Sequence, residues 1–201
     1  ELYEGYRSPR SNYKSLILGQ YLGQCHLGNA YLRQIPFSDL KAFETIFSKL
    51  PKRLHLQLAN SSTVRYAQLF EIPQQAEVFC NRGTSGIDGS TATAVGAALI
   101  NQNPSLLVTG DLSFFYDING LWNDYIPSNF RIILINNQGG GIFRILPGEK
   151  DSPKYDTYFE TVHGRNARQL SKTFGFQYKA VKSNIGLKWA LKSFFNSSRS
   201  P

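Results

Sequence analysis

Methionine occurs nowhere in the 201 residues, not even at position 1, where the chain opens Glu1-Leu2-Tyr3. Average usage would put about four inside a chain of this length. A nascent chain starts on methionine, so the sequence reads as a piece excised from a longer one. Cysteine is nearly as scarce. Cys25 and Cys80 cannot build a disulfide framework, and no Cys-x-x-Cys pair suggests a metal site. Both read as free thiols of a reducing compartment, and the expected location is cytoplasmic. The three histidines, His26, His55 and His163, are isolated from one another and read as non-metal residues. No apolar run approaches the ~18 residues that span a bilayer, which excludes a helical membrane span. No signal-peptide pattern stands at the start.

What is present suits a globular domain. Hydrophobic residues make up 41% and charged residues 18%, enough apolar surface for a core and too little charge for wholesale disorder. The length fits one domain, or one domain with the remnant of a neighbour. The net charge of +8 favours anionic partners without naming one.

Residues 1–35 show no clean period and read as a linker and the end of a preceding domain. From residue 36 the pattern becomes regular, and residues 36–201 read as one domain truncated at its C-terminal end. Ser38 is placed to cap a helix with apolar positions Leu40, Phe43, Ile46, Phe47 and Leu50, closed by Pro51. The alternation Leu54, Leu56, Leu58 predicts a strand, and a short helix follows to residue 69. Further strands are predicted over residues 76–80, 105–109, 131–135 and 176–181. Helices are predicted over 88–100, 113–125, 166–174 and 186–195. The run Arg131-Ile132-Ile133-Leu134-Ile135 reads as a central strand covered on both faces. Strands alternating with helices predict an α/β fold, a doubly wound parallel sheet with helices on both faces.

In such sheets ligands bind beyond the carboxyl ends of the strands. Four of the predicted strand ends run into polar or glycine-rich loops. Two of these carry Gly110-Asp111-Leu112-Ser113 and Asn136-Asn137-Gln138-Gly139-Gly140-Gly141. Parallel neighbours lie about 4.8 Å apart, so Asp111 and Asn137 can reach one point. A carboxylate, an amide oxygen and a glycine carbonyl are hard donors suited to Mg²⁺, which completes its shell with water and phosphate. A helix start near Ser113 aims N–H groups at an anion, and the glycines at 139–141 allow a diphosphate close to the backbone. Either motif alone reads equally well as a helix cap or a turn. Together and in order they favour the metal reading.

Gly-Asp followed about 25 residues later by Asn-Asn resembles the signature of thiamin-diphosphate-dependent enzymes. The strings Asn81-Arg82-Gly83-Thr84-Ser85-Gly86-Ile87-Asp88-Gly89, Gly110-Asp111-Leu112-Ser113-Phe114-Phe115 and Asn136-Asn137-Gln138-Gly139-Gly140-Gly141-Ile142-Phe143 carry the resemblance, which covers roughly residues 37–195. It implies the diphosphate-binding domain of a three-domain subunit and the cofactors thiamin diphosphate and Mg²⁺ (or Mn²⁺). The resemblance implies that Asp111, Asn137 and the Gly139 carbonyl hold the metal. It implies cofactor contacts from Gly86, Ile87, Ser113, Asn137, Gly139, Ile142, Phe143 and Leu146.

The branch it most resembles is a transferase of menaquinone biosynthesis. In that branch 2-oxoglutarate is decarboxylated and the resulting carbanion adds to isochorismate. Both substrates carry carboxylates, for which Arg65 and Arg82 are candidates, with Asn60 and Ser61 beside them. The catalytic glutamate of the family lies on an N-terminal pyrimidine-binding domain, which comes from the partner subunit of a homodimer or dimer of dimers. No segment here matches that domain, so no catalytic residue is expected in this chain, and the chain alone is expected to be inactive.

Two other readings remain. One is another thiamin-diphosphate-dependent decarboxylase or lyase, against which the loop at 82–89 and the two arginines speak. The other is a basic nucleic-acid-binding domain, suggested by the +8. It lacks a concentrated basic stripe with interleaved aromatics, so no nucleic acid is expected among the partners.

Overall fold

The computed structural model describes residues 19–20, 23, 28–148 and 151–196. By contacts the chain divides into residues 1–38 and residues 39–201. In the first unit, residues 28–34 are helical; His26 and most of the predicted linker lie outside the described residues.

The second unit holds the sheet. Its elements in chain order are α1 (Asp39–Phe47), β1 (His55–Leu58), α2 (Ser62–Ala67), β2 (Glu77–Cys80), α3 (Ser90–Ile100), β3 (Ser105–Gly110), α4 (Asp111–Tyr116), a 3₁₀ turn (Ile118–Leu121), β4 (Phe130–Ile135), α5 (Ile142–Ile145), a π-helical turn (Tyr155–Glu160), α6 (Arg168–Thr173) and α7 (Asn184–Phe194). All three strand pairings are parallel, in the order β2-β1-β3-β4.

Alternation along the strands feeds two cores. Leu56, Leu58, Leu106 and Val108 point to one face, where Phe43, Ile46 and Phe47 of α1, Ala67 of α2 and Leu191 of α7 cover them. Leu107 and Phe130 point to the other, beneath Ala94, Val95 and Ala98 of α3, Phe114 of α4, Leu121 and Ala167. Burial of these side chains on both faces drives the layered fold, at roughly 25 cal/mol per Å² of apolar surface removed from water. The doubly wound α/β expectation holds.

Three local expectations change. Among the described residues β4 is an edge strand rather than a central one, and four of its six residues are only half-buried. Residues 176–180 form no ladder. Phe176 N instead donates to Ser171 O at 2.8 Å, and the Phe176 ring meets Phe130 edge-on at 6.3 Å. The aromatic alternation there serves as a cover for the sheet, not as a strand.

The third change is the predicted helix over 113–125, which stops at Tyr116. Asp117 leaves helical geometry and turns its carboxylate to the start of α3, accepting from Thr91 N at 2.6 Å and Ala92 N at 3.0 Å. Gly120 then passes so close that a Cβ there would lie 2.7 Å from Ala92 N. A remote acid thus satisfies the free N–H groups that every helix start leaves unpaired. Among the described residues no helix is long and apolar enough to cross a membrane. Because Asp117 caps α3 in place of a local residue, Asp117→Ala is expected to cost about 1–2 kcal/mol, read as a lower urea midpoint at unchanged m-value.

Candidate functional site

The ladder registers align the carboxyl ends of the strands. Leu58 pairs with both Cys80 and Val108, and Gly110 pairs with Ile135. The loops that follow therefore meet above one edge of the sheet, around a cavity of about 490 Å³. Asn60, Ser61, Arg65, Arg82, Ile87, Asp111, Ser113, Asn137, Gly139, Ile142, Phe143 and Leu146 all line it. Gly86 does not; its carbonyl instead accepts from Asn60 Nδ2 at 2.7 Å.

Asp111 is the first residue of α4 and is almost fully buried. Its Oδ2 accepts from Gln138 N at 2.7 Å and Gly139 N at 3.1 Å, and its Oδ1 accepts from Leu112 N at 2.8 Å. One carboxylate thus ties the end of β3 to the loop after β4. His163 Nε2 stands 3.4 Å from Oδ2, too poorly aimed to count as a hydrogen bond. The ring's Nδ1 accepts from Arg165 N at 3.1 Å, which leaves the proton on Nε2, facing the carboxylate. Burial pushes the Asp111 carboxyl above the ordinary carboxylate range, against the opposing pull of the three N–H groups and of His163.

Asn137 donates Nδ2 to Asp39 Oδ2 at 2.7 Å, while its own Oδ1 is buried without a partner among the described residues. A Cβ on Gly141 would lie 2.6 Å from that Nδ2. The glycines on either side of this amide have packing reasons of their own. A Cβ on Gly139 would meet Glu160 O at 2.8 Å, and Gly140 N donates to the same carbonyl at 2.6 Å. The Glu160 side chain pairs with Arg144, so the turn over Tyr155–Glu160 is fastened onto this loop.

The donor set fits a hard divalent cation. Asn137 Oδ1 is an orphaned buried acceptor, and Asp111 Oδ1 accepts a single hydrogen bond and keeps a lone pair. No cluster of three or more His, Cys, Asp or Glu side chains competes for a softer metal among the described residues.

On the opposite side Asn60 is 3% exposed and its amide is fully engaged. Nδ2 donates to Asn81 O at 2.8 Å and to Gly86 O, and Oδ1 accepts from Arg82 at 3.0 Å and from the Cys80 thiol. It holds the 81–86 loop and Arg82, with no capacity left for a substrate. Arg65 reaches back to Ser61 O at 2.8 Å. The Ser113 hydroxyl donates to Ile87 O at 2.7 Å. The four described non-glycine residues with positive φ are Ser61, Ser85, Gln138 and Thr161. Three of them line the cavity and Gln138 sits between two lining residues, so the backbone strain of this domain is gathered at the site.

Compared with known proteins, residues 60–201 match the family "Thiamine pyrophosphate enzyme, C-terminal TPP binding domain". The chain belongs to the thiamine pyrophosphate enzymes. Over 176 residues it is 52% identical to the 2-succinyl-5-enolpyruvyl-6-hydroxy-3-cyclohexene-1-carboxylate synthase of Christiangramia forsetii, covering 88% of this chain and 30% of that one. It is 56% identical over 172 residues to the synthase of the same name from Flavobacterium psychrophilum, covering 86% and 31%. The chain therefore spans about 30% of the length of these curated relatives. Among solved structures, benzoylformate decarboxylase from Polynucleobacter necessarius superposes with a TM-score of 0.65 at 21% identity, over 82% of this chain and 32% of that one. A 4-hydroxybenzoylformate decarboxylase from Rhodococcus jostii gives 0.62 at 22%, over 81% and 31%. At these identities the two structures establish the fold of a thiamine pyrophosphate enzyme and nothing finer.

Reading this family's site from the sequence missed Asp39 and His163. Asp39 stands 98 positions from Asn137 and His163 stands 52 positions from Asp111, with no motif to link either pair.

The raised Asp111 carboxyl gives a pH dependence. The native state binds its proton more readily than the unfolded chain. Stability therefore falls as pH rises from the unfolded-state pKa through the folded one, and acidification restores it. Without metal, Asp111→Asn is expected to flatten the melting-temperature profile just above the ordinary carboxylate range, where wild type falls.

Proposed function

We propose that this chain is the diphosphate-binding domain of a 2-succinyl-5-enolpyruvyl-6-hydroxy-3-cyclohexene-1-carboxylate synthase. In the full-length protein it would take part in decarboxylation of 2-oxoglutarate and joining of the remaining four-carbon unit to isochorismate, in menaquinone biosynthesis. The observation that carries this reading is that one cavity gathers Asp111, Asn137 and Gly139 with Arg65 and Arg82, in a chain 52% identical over 176 residues to such a synthase.

Asp111, Asn137 and the Gly139 carbonyl would hold Mg²⁺, and the metal would anchor the cofactor's diphosphate. Ile87, Ile142, Phe143 and Leu146 would give the cavity an apolar wall that excludes water. Thiamin diphosphate, when bound, supplies the electron sink for decarboxylation. Arg65 and Arg82 would bind substrate carboxylates. Arg82 is held by Asn60 through one of its five N–H donors, which leaves a fork to offer. Asn60 itself we assign to holding this arginine. The proton-transferring glutamate would come from the pyrimidine-binding domain of a partner subunit, in a cytoplasmic homodimer or dimer of dimers.

The decarboxylase alternative draws on the two solved structures, whose low identity supports the fold only. A substrate screen of the full-length protein separates the readings. Turnover is expected with 2-oxoglutarate plus isochorismate, and Arg82→Ala should raise KM about tenfold or more, the worth of a charge-assisted hydrogen bond. Preference for benzoylformate, or synthase turnover by the 201-residue chain alone, contradicts the proposal.

A further inference from the structure

Asp39 is the first residue of α1 and is half-buried on the cavity wall. Its Oδ2 takes the Asn137 Nδ2 hydrogen bond across 98 residues of sequence. An asparagine amide has a donor end and an acceptor end of nearly equal size, and either can face a given direction. Only the oxygen can ligate a metal. A carboxylate is acceptor-only, so it fixes which way this amide stands.

With Nδ2 committed to Asp39, Oδ1 is left buried and unpartnered, a costly arrangement unless a ligand completes it. Gly141 leaves the room this orientation needs, since a side chain there would press on Nδ2. Asp39 and Asn137 thus form a part-buried acceptor–donor pair whose free end is an unpartnered oxygen.

We propose that Asp39 is a positioning residue for the metal site, orienting the Asn137 amide so that its oxygen faces the cation. The inference rests on the metal-diphosphate reading above. It resembles the partners that orient histidine and carboxylate ligands elsewhere, whose loss weakens metal affinity about 10–100-fold.

The test is Mn²⁺ binding to the full-length protein at saturating thiamin diphosphate, read by electron paramagnetic resonance, with metal-free melting temperatures as a fold control. Asp39→Leu is expected to weaken Mn²⁺ about tenfold or more with the fold retained. Asp39→Asn can still offer a carbonyl oxygen to Asn137 Nδ2, so it should stay within about threefold of wild type. In an Asn137→Asp background the ligand has two equivalent oxygens and repels Asp39, so there Asp39→Asn should tighten binding. The change from little effect to tightening keeps the test decisive if Asp39→Leu does not fold.

Three results overturn the inference alone: Asp39→Leu binding as wild type does, Asp39→Asn as weak as Asp39→Leu, or no tightening by Asp39→Asn in the Asn137→Asp background. Absence of Mn²⁺ binding in wild type overturns the functional proposal and this inference with it.

Discussion

A carboxylate buried where two parallel strands end organises this domain. Asp111 is 2% exposed and accepts N–H groups from its own helix and from the loop after β4. Burying a charge is unfavourable unless partners compensate, and three backbone donors with His163 at 3.4 Å compensate only in part. Burial raises the carboxyl pKa against the pull of these groups. The unpartnered Asn137 oxygen is buried beside the same cavity.

The surrounding loops are built to hold this arrangement. Glu160 receives Gly140 through its carbonyl and Arg144 through its side chain, which fastens the turn over the glycine run. Asn60 ties three stations of the 80–86 loop and fixes Arg82 on the far wall. The described non-glycine residues with positive φ, Ser61, Ser85, Gln138 and Thr161, belong to these same loops. Asp111 and Asn137 on the loops after β3 and β4, and Arg65 and Arg82 on the segments after β1 and β2, thereby line one space.

Much of this was legible in the sequence because strand ends carry distinctive residues. Gly110-Asp111 and Asn136-Asn137 each follow an apolar run, and the parallel register brings them together without further information. The apolar alternation at 54–58 and the small residues at 90–100 predicted their elements for equally local reasons. What the sequence hid depends on contacts between distant segments. The helix after Asp111 is cut short because Asp117 serves another helix, 26 positions back. Phe176 and Tyr178 alternate like a strand but cover Phe130 and stack under Arg168. Asn60, expected beside a substrate, spends its amide on four hydrogen bonds, and the pairing of Asp39 with Asn137 spans 98 residues with no local signal.

The central claim is that this domain binds a diphosphate cofactor through a metal held by Asp111 and Asn137. Calorimetric titration of the full-length protein with thiamin diphosphate, with and without Mg²⁺, addresses it most directly. The account predicts saturable binding that requires Mg²⁺ and disappears in Asp111→Ala. Binding of equal strength without the metal, or in Asp111→Ala, contradicts it.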